Sequence, residues 1–165
     1  MLSARSWRDR RWVPASTPPN YNFHGGTEGD NDFTGQATLG NDVFCGFGGV
    51  DRITTLDAGD IFLAGAGSDL QVQDNNGTIY GGEGDDDVLR NNGTFYGELG
   101  NDFVGNNSGT FYGGEGDDGV NINSLTGTFY GGEGNDSVVD NAGTFNGGPG
   151  DDTVGTGNPP VDGSP

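Results

Sequence analysis

Residues 81–88 read Gly-Gly-Glu-Gly-Asp-Asp-Asp-Val, and the same register returns four times downstream. The copies are 97–104 (GELGNDFV), 113–120 (GGEGDDGV), 131–138 (GGEGNDSV) and 147–154 (GGPGDDTV). All fit G-G-x-G-x-D-x-U, where U is a large apolar residue; the copy at 97–104 is looser, with Glu98 at the second position. A unit this short cannot bury a core by itself and has to stack on its neighbours. Glycines at the first, second and fourth positions allow a tight turn with positive φ and a close approach of backbone to a ligand. The bent backbone then aims carbonyl oxygens at one point, and the sixth-position Asp adds a carboxylate. The apolar eighth residue is expected to point the other way, into a thin core.

Oxygen-only ligation of this kind suits calcium, which takes roughly six to eight oxygen ligands. With one His and one Cys in the chain, zinc or copper fits poorly. The repeat resembles the RTX (hemolysin-type) calcium-binding repeat family over about residues 25–155. The resemblance implies an all-β fold, a right-handed parallel β-roll, with Ca2+ held between successive turns of a secreted or surface module of mostly bacterial proteins. Carried onto this chain, the motif makes Gly81, Gly82, Gly84 and Asp86 candidate metal-binding residues, followed by Gly97, Gly100 and Asp102. The next copies supply Gly113, Gly114, Gly116 and Asp118, then Gly131, Gly132, Gly134 and Asp136, then Gly147, Gly148, Gly150 and Asp152. Degenerate copies upstream add Asp42, Asp51, Asp60 and Asp69. Such a module is expected to be extracellular, structural or adhesive, and to fold on meeting calcium. An accessory role beside a secreted enzyme is the alternative that the resemblance offers.

The spacing refines this. Fourth-position glycines at 67, 84, 100, 116, 134 and 150 recur every 16–18 residues, close to one full coil of two half-coils. The other half-coil reads NGTIY (76–80), NGTFY (92–96), SGTFY (108–112), TGTFY (126–130) and AGTFN (142–146). Its sixth position holds Gly77, Gly93, Gly109, Gly127 or Gly143 instead of Asp. From residue 67 onward, ions are therefore expected on one edge only, with the opposite edge closed by Asn-Gly type turns that tolerate positive φ. Period-two alternation puts Ile79, Phe95, Phe111, Phe129 and Phe145 in one internal ladder. Val88, Val104, Val120, Val138 and Val154 make the other. Rows of Thr (78, 94, 110, 128, 144) and Tyr (80, 96, 112, 130) face out, a surface that could alternatively serve ice, glycan or protein binding. Asn75, Asn91, Asn107 and Asn141 share a register that suits a hydrogen-bonded ladder.

Upstream, the fourth-position glycines at 29, 40, 49, 59 and 67 are only 8–11 residues apart. These are half-coil steps, so both edges are expected to carry carboxylate turns there. Asn31 takes the sixth position of the first copy, and Gln71 at an apolar position implies a register slip towards Val72. The periods amount to about seven coils.

The chain has 165 residues, 25 acidic against six Arg and no Lys, for a formal charge of −19. Nucleic acid and anionic membrane are unsuitable partners, and no stretch suits membrane insertion. Clustered carboxylates repel one another without a cation, so the calcium-free chain is expected to be largely disordered. The single Cys45 excludes an intramolecular disulfide and reads as a buried thiol. His24, the one histidine, reads as a solvated loop residue. No nucleophile elbow, phosphate loop or zinc motif occurs, so no catalytic activity is expected. Residues 1–24, with Arg5, Arg8, Arg10, Arg11, Trp7 and Trp12, read as an irregular arm able to cover the open first coil. They lack the apolar run of a secretory signal. Residues 156–165 read as a disordered tail.

Overall fold

The computed structural model describes residues 21–38 and 40–157. Among them the chain forms no helix and fifteen strands: β1 (Tyr21–Gly25), β2 (Asn41–Gly48), β3 (Thr55–Leu56), β4 (Ile61–Ala66), β5 (Leu70–Asn75), β6 (Thr78–Glu83), β7 (Asp87–Asn91), β8 (Thr94–Leu99), β9 (Phe103–Asn107), β10 (Thr110–Glu115), β11 (Gly119–Asn123), β12 (Thr128–Glu133), β13 (Ser137–Asn141), β14 (Thr144–Asn146) and β15 (Thr153–Gly157). Two parallel sheets result, one ordered β1-β2-β4-β6-β8-β10-β12-β14 and the other β3-β5-β7-β9-β11-β13-β15. From β2 onward each coil gives one strand to each sheet, and the stack is a β-solenoid of about eight turns. That is one coil more than the repeats suggested, because β1 starts at Tyr21, inside the stretch read as an arm. The remainder of that arm and residues 158–165 lie outside the described residues, while Thr156 and Gly157, expected in a disordered tail, belong to β15.

The register is set residue for residue by the repeat. Thr78, Thr94, Thr110, Thr128 and Thr144 pair in sequence, and the aromatic positions follow them. Alternation then sends Ile79, Phe95, Phe111, Phe129 and Phe145 inward, all buried. The Phe rings stack at 4.8–5.1 Å between centroids. Val88, Val104, Val120 and Val138 are buried on the facing sheet, with Val154 partly buried. Each buried ring or valine contributes about 2 kcal/mol. With little more than one such pair per coil, the edges have to supply much of the cohesion. The expected slip is present: pairing shifts between Leu70 and Val72, so that Val72 lands on Val88.

Outside, Tyr80, Tyr96, Tyr112 and Tyr130 stack at 4.9–5.0 Å. Their ring faces cover one another. Cys45 is a buried free thiol whose pKa burial pushes up to about 11. His24 is not a solvated loop residue. Strand pairing sets it opposite Phe44, its ring stacks on Phe44 at 4.5 Å, and its Nε2 lies 3.1 Å from Asp42 Oδ1.

Candidate metal centre

The motif turns form one edge of the roll, between the end of each first-sheet strand and the start of the next second-sheet strand. Here Asp51, Asp69, Asp86, Asp102, Asp118 and Asp136 are buried and stand in a column that ends at Asp152. The amide N–H of Asp69 donates to Asp86 Oδ1, and the step repeats to Asp102, Asp118, Asp136 and Asp152 at 2.7–2.9 Å. The column begins with Asn31 N–H donating to Asp51 Oδ1 and Asp51 N–H donating to Asp69 Oδ1. All five sixth-position aspartates of the clear repeats are thus brought together, with Asp51 and Asp69 added. Asp42 and Asp60 are not. They sit on the opposite edge, where Asp42 N–H donates to Asp60 Oδ1 and their carboxylates accept from Thr38, His24 and Asp57.

Two expectations need correcting. The aspartate does not point away from the apolar eighth residue. Asp86 and Val88 are both buried, because residues two apart in an extended chain share a face. Nor does the first glycine supply positive φ. That belongs to the second and fourth positions, such as Gly82 at +112° and Gly84 at +128°, with Gly100, Gly114, Gly116, Gly132, Gly134, Gly148 and Gly150 alike. The first glycine continues the strand and makes room instead. A Cβ on Gly81 would fall on Asp86 Oδ2 and lie 2.8 Å from the carbonyl oxygen of Gly97. Gly97, Gly113 and Gly131 stand in the same relation to Asp102, Asp118 and Asp136 and to the carbonyls of Gly113, Gly131 and Gly147. A Cβ on Gly147 would likewise meet Asp152.

This packing leaves acceptors without donors. The Oδ2 atoms of Asp51, Asp69, Asp86, Asp102, Asp118 and Asp136 are buried without a hydrogen-bond partner. In the regular repeats each borders, together with a backbone carbonyl of the next coil, the space that a Cβ on the first glycine would fill. Such an atom carries the full desolvation penalty of about 1–3 kcal/mol or more. Burial is the main influence on these groups. It outweighs the hydrogen bond from the preceding Asp amide, and neighbouring carboxylates reinforce it. The pKa of Asp86 and of Asp118 rises to about 8, that of Asp69 and of Asp102 to about 7, and that of Asp136 to about 6. A cavity of ≈ 10 Å³ lies among Asp51, Asp69, Asp86 and Gly81, against Val72 and Ile79. That is room for one water-sized body.

The donor set is carboxylate and carbonyl oxygen only, which fits a hard cation such as calcium. No three His, Cys, Asp or Glu side chains gather at one point among the described residues. Each coil gives the inner column one carboxylate, so backbone carbonyls would have to complete any coordination.

The opposite edge is built differently. Asn75, Asn91, Asn107, Asn123 and Asn141 are buried in a column. The Nδ2 of each of the first four donates to the next Asn Oδ1 at 2.7–3.0 Å and to a Thr carbonyl of the next coil at 2.9–3.1 Å. Asn123 escaped the sequence reading because two extra residues in its coil displace it from the Gly-Thr-Phe-Tyr block. Its signal was the distance from valine: Asn91, Asn107, Asn123 and Asn141 each stand three residues after Val88, Val104, Val120 and Val138. A second missed row runs along the outside of the aspartate edge, at the fifth motif position. Asp85, Asn101, Asp117 and Asn135 each accept the amide N–H one coil on, at 2.7–2.9 Å, ending at Asp151. Asp and Asn alternate strictly along it.

Comparison with family models, with curated proteins and with solved structures gives no match.

Proposed function

We propose that the aspartate edge binds calcium ions, and that the chain is a calcium-dependent structural or adhesive module of the cell exterior. The observation that carries this is the column of buried Oδ2 atoms without partners. In the outer row Asp alternates with Asn, so neighbouring coils avoid like charges. In the inner row Asp follows Asp from Asp51 to Asp152 without relief. A run of buried carboxylates of this length calls for positive charge. Asp86, Asp102, Asp118 and Asp136 would hold the ions, with the first-position carbonyls of the following coils as further ligands. When bound, calcium supplies the charge and coordination that tie successive coils together. The protein's own part is to hold the carboxylates in register, keep them from water and leave space beside the first glycines. Affinity of about 10⁻⁴–10⁻³ M suits an exterior module, and the resemblance to RTX repeats points the same way.

A second reading is favoured by the raised pKa values: each Oδ2 carries a proton that it donates to a nearby carbonyl, with no metal involved. Calorimetric titration with calcium, with magnesium as control and far-UV circular dichroism alongside, separates the two. Calcium-specific uptake with a gain of β signal or thermal stability is expected. A chain that takes up no calcium and keeps one spectrum in calcium and in chelator would leave the protonated column as the better account.

A further inference from the structure

We propose that the asparagine edge is a cation-independent spine, and that removing the cation opens the roll along the aspartate edge alone. The proposal rests on the calcium reading of the aspartate column and asks what the rest of the molecule does without the ion.

The bonding of the two edges motivates it. From Asn75 to Asn141 every step between coils is made by neutral groups. The Asn75 carbonyl accepts the amides of Asn92 and Gly93 at 2.8 and 3.0 Å. The Asn91 carbonyl accepts those of Ser108 and Gly109 at 2.8 and 2.9 Å. The side-chain amides add two bonds per step, one along the column and one to a Thr carbonyl. A primary amide donates and accepts at once, so identical residues in parallel register satisfy each other. None of these asparagines appears among the buried polar groups without a partner, whereas six aspartates do. The stacked Phe95, Phe111, Phe129 and Phe145 are carried on the strands that leave this edge. Ring stacking therefore reinforces the asparagine steps. At the aspartate edge the steps also have backbone bonds, such as Gly84 N–H to Leu99 O at 2.8 Å. Superimposed on them is a column of buried carboxylates whose second oxygens have no partner. The roll is then a clasp whose hinge is Asn75–Asn141 and whose closure is Asp69–Asp152. This differs from a chain that passes from coil to roll as a whole.

The test is residue-resolved amide hydrogen exchange of the full chain by NMR, in calcium and in excess chelator. On chelation the amides of Asp86, Asp102 and Asp118 are expected to lose protection, while those of Gly93, Gly109 and Thr110 keep it. Loss of protection at both edges together would overturn the spine and leave the calcium reading standing. Exchange that is the same at both edges in calcium and in chelator would remove the calcium reading and the clasp with it.

Discussion

Five asparagines climb one edge of the roll and seven aspartates the other, and the two columns meet the same geometry with opposite consequences. Parallel in-register stacking repeats each residue at about 4.8 Å. Whatever one side chain does to its own kind is multiplied along the stack. The amide is complementary to itself, and each Asn–Asn step contributes about 1 kcal/mol net. The carboxylate is not. Two charges at that spacing repel by about 3 kcal/mol at an effective dielectric near 20. The Asp column softens this by accepting one backbone N–H per residue, which leaves the second oxygen exposed to the problem. The outer row at the fifth position shows a third solution, alternating Asp with Asn.

The largest effect is expected from breaking the neutral column. Asn107→Leu removes the acceptor of Asn91 Nδ2 and the donor to Asn123 Oδ1 and to the Thr128 carbonyl. Stability should fall by about 3 kcal/mol, read as a lower urea midpoint with an unchanged slope. A shift under about 1 kcal/mol would mean that the backbone bonds of this edge suffice without the side chains.

Making the charged edge resemble the neutral one should act the other way. In Asp102→Asn the retained Oδ1 can still take the Asp86 amide, and the new amide can donate towards the Gly113 carbonyl. In chelator the unfolding free energy should rise by about 1–2 kcal/mol, while the stabilisation brought by calcium shrinks. A variant that gains as much from calcium as the parent would remove Asp102 from the ligand set.

Acid should soften the contrast gradually. The folded-state pKa values of Asp69, Asp86, Asp102, Asp118 and Asp136 lie between about 6 and about 8, above the 3.8 of an unperturbed Asp. The folded column therefore holds protons that the unfolded chain has released. Its contribution is complete below pH 3.8 and is lost as pH climbs through about 6 to 8. In chelator, thermal midpoints should fall from pH 5 to pH 8. In calcium the slope should flatten or reverse, because the ion needs the deprotonated form. A midpoint flat with pH in chelator would contradict the buried column.

The Phe and Val ladders, and the one-sided carboxylate edge from residue 67 onward, were legible from period and alternation, whereas the roll itself was expected from the resemblance that the repeat carries. The slip at Gln71 was legible too, where one polar residue interrupts an apolar column. What escaped depends on depth and on partners. The inward direction of Asp86 follows from its parity with Val88, yet the usual preference of carboxylates for water argues against it. The role of Gly81 became apparent only once the Asp86 carboxylate was found in the space of its missing Cβ. His24 lies where a strand pairs with β2, and no local pattern marks that partner. Asn123 was hidden by a longer turn.

The smallest effect concerns the outer side of the aspartate edge, where Glu98 takes the second motif position at φ +80°. Its register partners Gly82 and Gly114 are glycines at +112° and +128°. Holding an L-residue there costs about 1–2 kcal/mol, partly offset because glycine loses more freedom on folding. Glu98→Gly should therefore stabilise the chain by about 0.5–1 kcal/mol in chelator. The carboxylate of Glu98 also adds to the negative field on Asp102, so the gain has two sources. Glu98→Gln separates them, since it removes the charge and keeps the backbone strain. If Gln matches the parent and Gly alone gains, strain is the burden and calcium affinity should be the same in all three. If Gln gains as much as Gly, charge is the burden, and both variants should bind calcium more weakly. The excess of negative charge would then reach beyond the inner column to the outer face of the same edge.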